Sequence, residues 1–141
     1  MPDSPAPSDS PKVPDPPCVA VTGASGMIGS ALVETLTADG SRVLRLVRRQ
    51  PRAGADEVRW DPAVGEVDAA ALEGLDAVVH LAGESIAAGR WTSERKGQIL
   101  RSRTEGTRLL SGALARLTRP PATLISASAI GFYGNRGDEV L

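Results

Sequence analysis

The sequence predicts an α/β fold in which helices cover both faces of a parallel sheet, the doubly wound arrangement. Short apolar runs alternate along the chain with longer segments of helical periodicity. Several of these runs are almost wholly apolar, as parallel strands buried on both faces are. Aromatic residues make up 3% of the chain and hydrophobic residues 41%, so the core must be aliphatic and rich in alanine. A length of 141 residues suits one domain.

The composition excludes several classes of protein. With 16 basic and 17 acidic residues the net charge is −1, which argues against a general nucleic-acid binder and gives no sign of attraction to a membrane surface. No apolar run approaches the length of a membrane span, and no basic-then-apolar leader is visible. One cysteine allows no internal disulfide, so we expect a cytoplasmic protein. We expect no metal site.

The first segment, residues 1–17, is rich in proline, serine and aspartate. Its apolar content is too low to build a core, so we predict a disordered tail. The folded domain is then expected over residues 18–141.

The first strand, about Cys18–Thr22, runs directly into three glycines spaced three residues apart and then into a helix, about Met27–Asp39. Gly23 lets the chain turn sharply off the strand, Gly26 leaves room for a pyrophosphate, and Gly29 lets the helix pack closely. The helix N-terminus offers N–H groups and a positive dipole end to phosphates. We therefore predict a dinucleotide-binding turn, with contacts from Gly23, Ser25, Gly26, Met27, Ile28 and Gly29. The bland alternative is a purely structural strand–turn–helix.

The second strand, about Arg42–Val47, ends in Arg48 and Arg49. In a dinucleotide fold this position meets the adenosine ribose, where an acidic residue selects NAD and an arginine accommodates the 2′-phosphate of NADP. A guanidinium can grip a phosphate through two donors at once. We predict NADP rather than NAD, the alternative being an ordinary solvated basic loop.

The third strand, about Glu57–Trp60, ends at Asp61 before a proline. Asp61 can accept a hydrogen bond from an adenine amino group or act as an ordinary turn acid, and the second interpretation is slightly favoured.

A short helical stretch, Ala69–Glu73, precedes the fourth strand, Asp76–Gly83. Small residues just past a parallel strand let a cofactor approach the backbone. We therefore expect Leu81, Ala82 and Gly83 to line the ribose or nicotinamide. His80 is the one histidine, and we interpret it as packed and hydrogen-bonded rather than catalytic.

A long helix is predicted from an N-cap at Thr92 to about Leu117. Its sheet-facing stripe is Ile99, Gly106, Leu110, Ala113 and Leu117. A glycine inside a helix costs about 1 kcal/mol relative to alanine, so Gly106 suggests close packing on the sheet or cofactor. Arg103 lies on the same stripe and needs a partner, either a phosphate or a buried carboxylate. Gln98, about one turn earlier, can reach the same ligand.

The fifth strand, Ala122–Ser126, leads to Ser128 at the edge of the sheet where ligands bind in this architecture. Ser128 can orient a substrate carbonyl or hydroxyl. It can equally just satisfy turn backbone.

Five segments in order carry a further pattern: Val21–Gly29, Trp60–Pro62, Asp76–Glu84, Arg90–Arg108 and Ser126–Glu139. Together they resemble the extended and atypical short-chain dehydrogenase/reductases, close to the NAD-dependent epimerase/dehydratase group. Two pieces, Leu81–Glu84 and Arg90-Trp91, look like an uncharacterised epimerase-like subfamily whose members carry a further C-terminal domain.

The resemblance implies a Rossmann fold with NADP contacts at the glycine turn, at Arg48 and Arg49, at Leu81 and Ala82, and at Gln98 and Arg103. Sugar epimerases usually have asparagine where Arg103 stands, which suggests a different grip on the cofactor. Ser128 falls where the family has its active-site Ser or Thr. The family's Tyr-x-x-x-Lys pair would follow residue 141, and Tyr133 does not fit it because no lysine stands four residues on.

The sequence predicts five strands, and in the given chain we expect neither a sixth strand nor a substrate domain after Asp138–Leu141. We interpret the chain as the N-terminal part of such a protein, which we expect to catalyse nothing by itself. The first functional hypothesis is an NADP-dependent oxidoreductase or epimerase acting on a hydroxyl or carbonyl of a small molecule. The second is a non-catalytic module that senses NADP(H) or docks a partner. A weaker third is a Rossmann-like domain that has lost cofactor binding.

Overall fold

The computed structural model describes residues 15–87 and 89–128. Most of the expected tail, and Tyr133 with the end of the last resemblance segment, lie outside those residues. The described part contains one sheet in the order β4-β3-β2-β1-β5-β6. The strands are β1 Cys18–Thr22, β2 Arg42–Val47, β3 Glu57–Asp61, β4 Glu66–Val67, β5 Ala77–His80 and β6 Thr123–Ser126.

Two α-helices and a short 3-10 turn connect these strands. Helix α1 is Met27–Ala38, helix α2 is Ser93–Leu114, and the 3-10 turn is Ala70–Leu72. Thr92 caps α2 as predicted, since its side chain accepts a hydrogen bond of 3.1 Å from the Arg95 N–H.

The two helices lie on opposite faces of the sheet, which confirms the doubly wound α/β Rossmann fold. Alternate residues of β1 belong to two separate cores. Val19 and Val21 pack with Val33 of α1, whereas Ala20 packs in the cluster that holds Leu110 of α2. The core is aliphatic except for one tryptophan among its buried hydrophobic residues, as the composition predicts.

The sheet places a ligand crevice beside β1. The chain moves outward from β1 through β2 to β3, then returns to the other side of β1 for β5 and β6. All pairings among these five strands are parallel, so their carboxyl ends share one edge. In open α/β sheets ligands bind outside that edge, where the strand order reverses.

The five predicted parallel strands are present, and the sheet has one further strand that was not predicted. The two-residue strand Glu66–Val67 pairs antiparallel with β3, so the sheet is mixed. Such a short hairpin partner has no periodicity by which a sequence could reveal it. Helix α2 also ends at Leu114, earlier than expected, and β5 ends at His80, which leaves Leu81 to Gly83 in the following loop.

Candidate functional site

A cleft of about 870 Å³ opens at the carboxyl ends of β1, β2 and β5. Most of the predicted cofactor residues line it, drawn from three separate stretches of the sequence. Its lining includes Gly23, Ser25, Gly26, Arg48, Arg49, Leu81, Ala82 and Gly83. The structure therefore brings the glycine turn, the arginine pair and the loop after β5 to one place.

The glycine turn is built by steric exclusion. Gly23 has φ +68°, and a Cβ there would lie 2.9 Å from the Ala82 nitrogen. A Cβ on Gly29 would overlap the Gly23 carbonyl oxygen and lie 2.8 Å from its carbonyl carbon. Gly26 is less constrained, since a Cβ there would lie 3.3 Å from the same oxygen. Gly23 and Gly29 thus hold strand, turn and helix in a contact that no side chain would allow.

The N-terminus of α1 faces the turn without a side-chain cap. Gly26 is the N-cap residue, so the first N–H groups of the helix have no side-chain acceptor there. Met27 and Ile28 are 88% and 66% exposed, and neither lines the cleft. Any contact of these two residues with a phosphate would come from their backbone N–H groups.

Thr22 ties the turn to the loop after β5. Its buried hydroxyl oxygen accepts hydrogen bonds of 3.1 Å from the N–H groups of Leu81 and of Ala82. The same oxygen lies 2.7 Å from Nδ1 of His80. Because its acceptor capacity is already used, the hydroxyl donates to Nδ1, and His80 carries its proton on Nε2.

His80 is packed and hydrogen-bonded, as predicted, rather than presented to the cleft. It is 3% exposed and meets Trp60 edge to face with ring centroids 5.6 Å apart. Burial, and then the positive charge of Arg103, lower the pKa of His80, which keeps the ring neutral. Gly106 completes this packing, since a Cβ there would lie 3.4 Å from the Trp60 ring. Its helix cost is therefore offset by contact with the sheet.

The two arginines after β2 have different surroundings. Arg49 makes two hydrogen bonds, of 2.8 and 2.5 Å, to the carboxylate of Glu57. Glu57 also accepts from the Arg52 N–H at 2.9 Å, and these contacts hold the pKa of Glu57 at about 2. Arg48 is exposed at the cleft and takes part in no ion pair within residues 15–87 and 89–128. Of the predicted pair, Arg48 alone has an uncommitted guanidinium in the described structure.

Asp61 acts as a turn acid, the interpretation that the sequence slightly favoured. One carboxylate oxygen accepts from the Ala63 N–H at 3.1 Å, and the other pairs with Arg59 at 3.1 Å. Both oxygens therefore already have partners, one in the turn and one in β3.

Arg103 of α2 lies beside the loop after β5. A Cβ on Gly83 would be 2.9 Å from Nη1 of Arg103, so the glycine makes room for the guanidinium. No carboxylate in the described residues pairs with it. Gln98 is exposed on α2 and does not line the cleft.

Ser128 is exposed two residues beyond β6 and is not part of the cleft lining. Strand β6 pairs with β5, and the Ala127 N–H donates to the His80 carbonyl at 2.9 Å. Ser128 therefore lies at the carboxyl edge of the sheet, next to the loop after β5.

Sequence reasoning missed several residues that shape the cleft, and three of them make the hydrogen bonds that hold the loop after β5. These are Thr22, Glu84 and Ser102, of which the last two line it directly. A polar residue ending an otherwise apolar strand marks Thr22, and an acid directly after Leu81–Gly83 marks Glu84. Nothing in the sequence marks Ser102, which reaches the cleft only through helix packing.

The family described as NAD dependent epimerase/dehydratase matches residues 19–140 of this chain. The chain belongs to this family. The match spans the glycine turn, both arginines and the loop after β5, which are the parts that form the cleft.

Relatives in this family support the assignment. Epimerase family protein Mb2239 of Mycobacterium bovis is 48% identical over 123 residues, which are 87% of this chain and 40% of the relative. The epimerase family protein SDR39U1 of Homo sapiens is 36% identical over 117 residues, covering 82% of this chain and 38% of the relative. The chain thus spans about two fifths of the length of these relatives.

Similar solved structures share the fold. The human SDR39U1 (isoform 2) structure, determined with NADPH, has a TM-score of 0.69 at 34% identity and covers 82% of this chain and 38% of its own. The nucleoside-diphosphate sugar epimerase of Corynebacterium glutamicum gives 0.69 at 39% identity, over 89% of this chain and 25% of its own. MoeE5, solved with UDP-glucuronic acid and NAD, has a TM-score of 0.67 at 31% identity and covers 87% of this chain and 40% of its own.

No α-helix within the described ranges combines the length and apolarity that a membrane crossing requires. The same ranges contain no group of three or more His, Cys, Asp or Glu side chains placed to hold a metal ion.

Proposed function

We propose that this chain is the NADP(H)-binding part of an oxidoreductase or epimerase that acts on a hydroxyl or carbonyl group of a small molecule. The observation that carries the proposal is the uncommitted Arg48 at one end of a cleft whose centre is the glycine turn. A guanidinium at the end of the second strand suits a 2′-phosphate, and no acid replaces it there.

The residues of the cleft fit a nicotinamide dinucleotide. Because Cβ atoms on Gly23 or Gly29 would collide with backbone, the turn has no side chain at either position that could keep a pyrophosphate away from its N–H groups. The uncapped start of α1 beside it supplies N–H groups for a pyrophosphate. Arg48 would hold the 2′-phosphate, and the segment from Leu81 to Gly83 would lie under the nicotinamide half.

A bound nicotinamide cofactor supplies a carbon that accepts or donates hydride. The chain's own part is to fix that cofactor and to present polar groups near it. Ser128 stands at the same edge of the sheet and would orient a substrate oxygen. The human relative was solved with NADPH and MoeE5 with NAD, so a nicotinamide cofactor is the shared expectation, and Arg48 favours its phosphorylated form.

The test is the thermal stability of the purified chain with NADP, NADPH, NAD or NADH in large excess. Binding to the folded state alone adds roughly 2.7 kcal/mol at about a hundred times the dissociation constant, which is visible as a rise in Tm. We expect the rise with the phosphorylated pair. A rise with NAD and NADH only would contradict the NADP assignment. No rise with any of the four, from a cooperatively folding sample, would contradict cofactor binding by this chain.

A further inference from the structure

The cleft contains one acidic side chain that the dinucleotide turn does not explain. Two glutamates, Glu57 and Glu84, line it. Glu57 accepts hydrogen bonds from Arg49 and from the Arg52 N–H, so it belongs to the end of the cleft that follows β2. Glu84 lies on the other side of the glycine turn, directly after the loop residues Leu81 to Gly83.

Helix α2 holds Glu84 in place at two points. The Glu84 N–H donates to the Ser102 hydroxyl at 3.0 Å, and that hydroxyl donates in turn to the Ile99 carbonyl at 2.8 Å. Arg95 donates to Glu84 Oε1 at 3.1 Å and to the Ser85 carbonyl at 2.5 Å. The side chain of Arg95 is 18% exposed and that of Glu84 is 41% exposed. The carboxylate is therefore held by a largely buried arginine and remains accessible from the cleft that it lines.

One carboxylate oxygen remains available for a ligand. Within the described part of the chain, Oε1 meets Arg95 and Oε2 has no hydrogen-bond donor. An ionised carboxylate can only accept, so it requires a donor such as a hydroxyl or an amide N–H. A phosphate has no proton to spare near neutral pH and would be repelled.

We propose that Glu84 binds the nicotinamide riboside half of the cofactor by accepting a hydrogen bond from a ribose hydroxyl or from the carboxamide. The inference rests on the proposed function, because it uses the direction of the cofactor in the cleft. With the 2′-phosphate at Arg48 and the pyrophosphate at the turn after β1, the second nucleoside falls over the loop after β5. That loop ends in Glu84, and Arg95 is its positioning residue.

The experiment is calorimetric titration of the full chain with NADPH and with adenosine 2′,5′-bisphosphate, which lacks the nicotinamide half. The variant Glu84→Gln keeps the size of the side chain but weakens its acceptor. We expect NADPH to bind about tenfold more weakly, since a hydrogen bond to a charged group is lost. The bisphosphate should bind within about twofold of the unaltered chain.

The matched control is Glu66→Gln, which removes another Arg–Glu pair, at 3.0 Å from Arg59, outside the cleft lining. It should change neither titration. A third ligand, the 3-acetylpyridine analogue of NADPH, lacks the amide N–H. If Glu84→Gln still weakens binding of that analogue, the donor is a ribose hydroxyl. If Glu84→Gln no longer weakens it, the donor is the carboxamide.

Arg95→Lys keeps the charge but cannot bridge Glu84 and Ser85 in the same way. If Arg95 acts only by positioning Glu84, Arg95→Lys alone lowers the affinity for NADPH. Added to Glu84→Gln, it then lowers that affinity no further. An additional loss in the double variant would contradict the positioning role.

Three results would overturn the proposal while leaving cofactor binding intact. They are unchanged NADPH affinity in Glu84→Gln, tighter NADPH binding from relief of charge repulsion, and an equal loss for both ligands. If the unaltered chain binds neither NADPH nor the bisphosphate, the proposed function itself falls, and this inference with it.

Discussion

The glycine turn and the arginine rim lie at the same edge of the sheet, yet they are built in opposite ways. The turn is made of backbone packed so closely that Gly23 and Gly29 exclude any side chain. The rim is made of long, exposed side chains, in which Arg49 pairs with Glu57 and Arg48 is uncommitted within the described residues. The turn therefore has one possible shape, whereas the rim can adjust to its ligand.

This difference separates where a ligand binds from which ligand is chosen. A rigid backbone cradle provides a position for a pyrophosphate that all dinucleotides share. A flexible guanidinium provides selection for one extra phosphate at modest energetic cost to the fold. Substitutions in the turn should therefore damage the fold and all binding together, while loss of the uncommitted Arg48 should alter selection alone.

The largest effect is expected from Gly29→Ala. The added methyl overlaps the Gly23 carbonyl, which is backbone and cannot move aside without opening the turn. Overpacking of this kind costs about 3 kcal/mol. Urea unfolding should show the loss, and titration should show no dinucleotide binding.

Gly112→Ala is the matched control, because it introduces the same methyl group into the last turn of α2. There the nearest atom is a flexible arginine nitrogen 3.7 Å away. This substitution should stabilise the protein by about 0.5–1 kcal/mol through helix propensity. If both substitutions change the free energy of unfolding in the same direction, close packing does not explain the requirement for glycine at position 29.

The next effect concerns the link between the turn and the loop after β5. Thr22→Val removes a buried hydroxyl and leaves the N–H groups of Leu81 and Ala82 without their acceptor. Unsatisfied buried groups cost about 1–3 kcal/mol each, so we expect a loss of about 2–3 kcal/mol in urea unfolding.

Thr22→Ser keeps the hydroxyl and loses only a methyl group. It should cost about 1 kcal/mol or less, in line with the burial of one methyl group. A Ser variant as unstable as the Val variant would show that packing, and not the hydrogen bonds, gives Thr22 its role.

The smallest change in stability is expected at the rim, because the side chain of Arg49 is 44% exposed and solvent screens its ion pair with Glu57. The pKa of Glu57 is lowered to about 2 from an ordinary value of 4.5, chiefly by hydrogen bonds from Arg49. A carboxylate with a lowered folded pKa stabilises the protein above the unfolded pKa, and this contribution is lost as the pH falls from about 4.5 to about 2.

Arg49→Ala should therefore lower Tm at neutral pH, and its difference from the unaltered chain should shrink as the pH falls through that window. Arg48→Ala, which breaks no ion pair of the described residues, should leave Tm unchanged throughout. Melting curves between pH 7 and pH 2 test both statements. A gap for Arg49→Ala that stays constant with pH would contradict the coupling to Glu57.

Much of the fold followed from the sequence because its signals are local. The apolar run of β1, the glycine that follows it, and the Thr92 cap each act within a few residues of themselves. The short strand Glu66–Val67 escaped prediction because its two residues are strand only by virtue of pairing with β3.

The site divides in the same way. The glycine turn was visible because its spacing is a backbone requirement, and Arg48 because it follows a strand. The pairing of Arg49 with Glu57 was not visible, since it depends on the register of β2 against β3. The anchoring of Glu84 by Arg95 and Ser102 depends on where α2 docks, which no spacing in the sequence specifies.

The most direct measurement is the ratio of the NADH and NADPH dissociation constants for the unaltered chain and for Arg48→Ala, with Arg116→Ala as a control outside the cleft lining. Fluorescence titration of the reduced nicotinamide gives both constants. We predict about tenfold preference for NADPH in the unaltered chain and in Arg116→Ala, and a ratio near one in Arg48→Ala with NADH affinity unchanged. Equal binding of the two cofactors by the unaltered chain, or a preference that survives Arg48→Ala, would contradict the division between a rigid cradle and a selective rim.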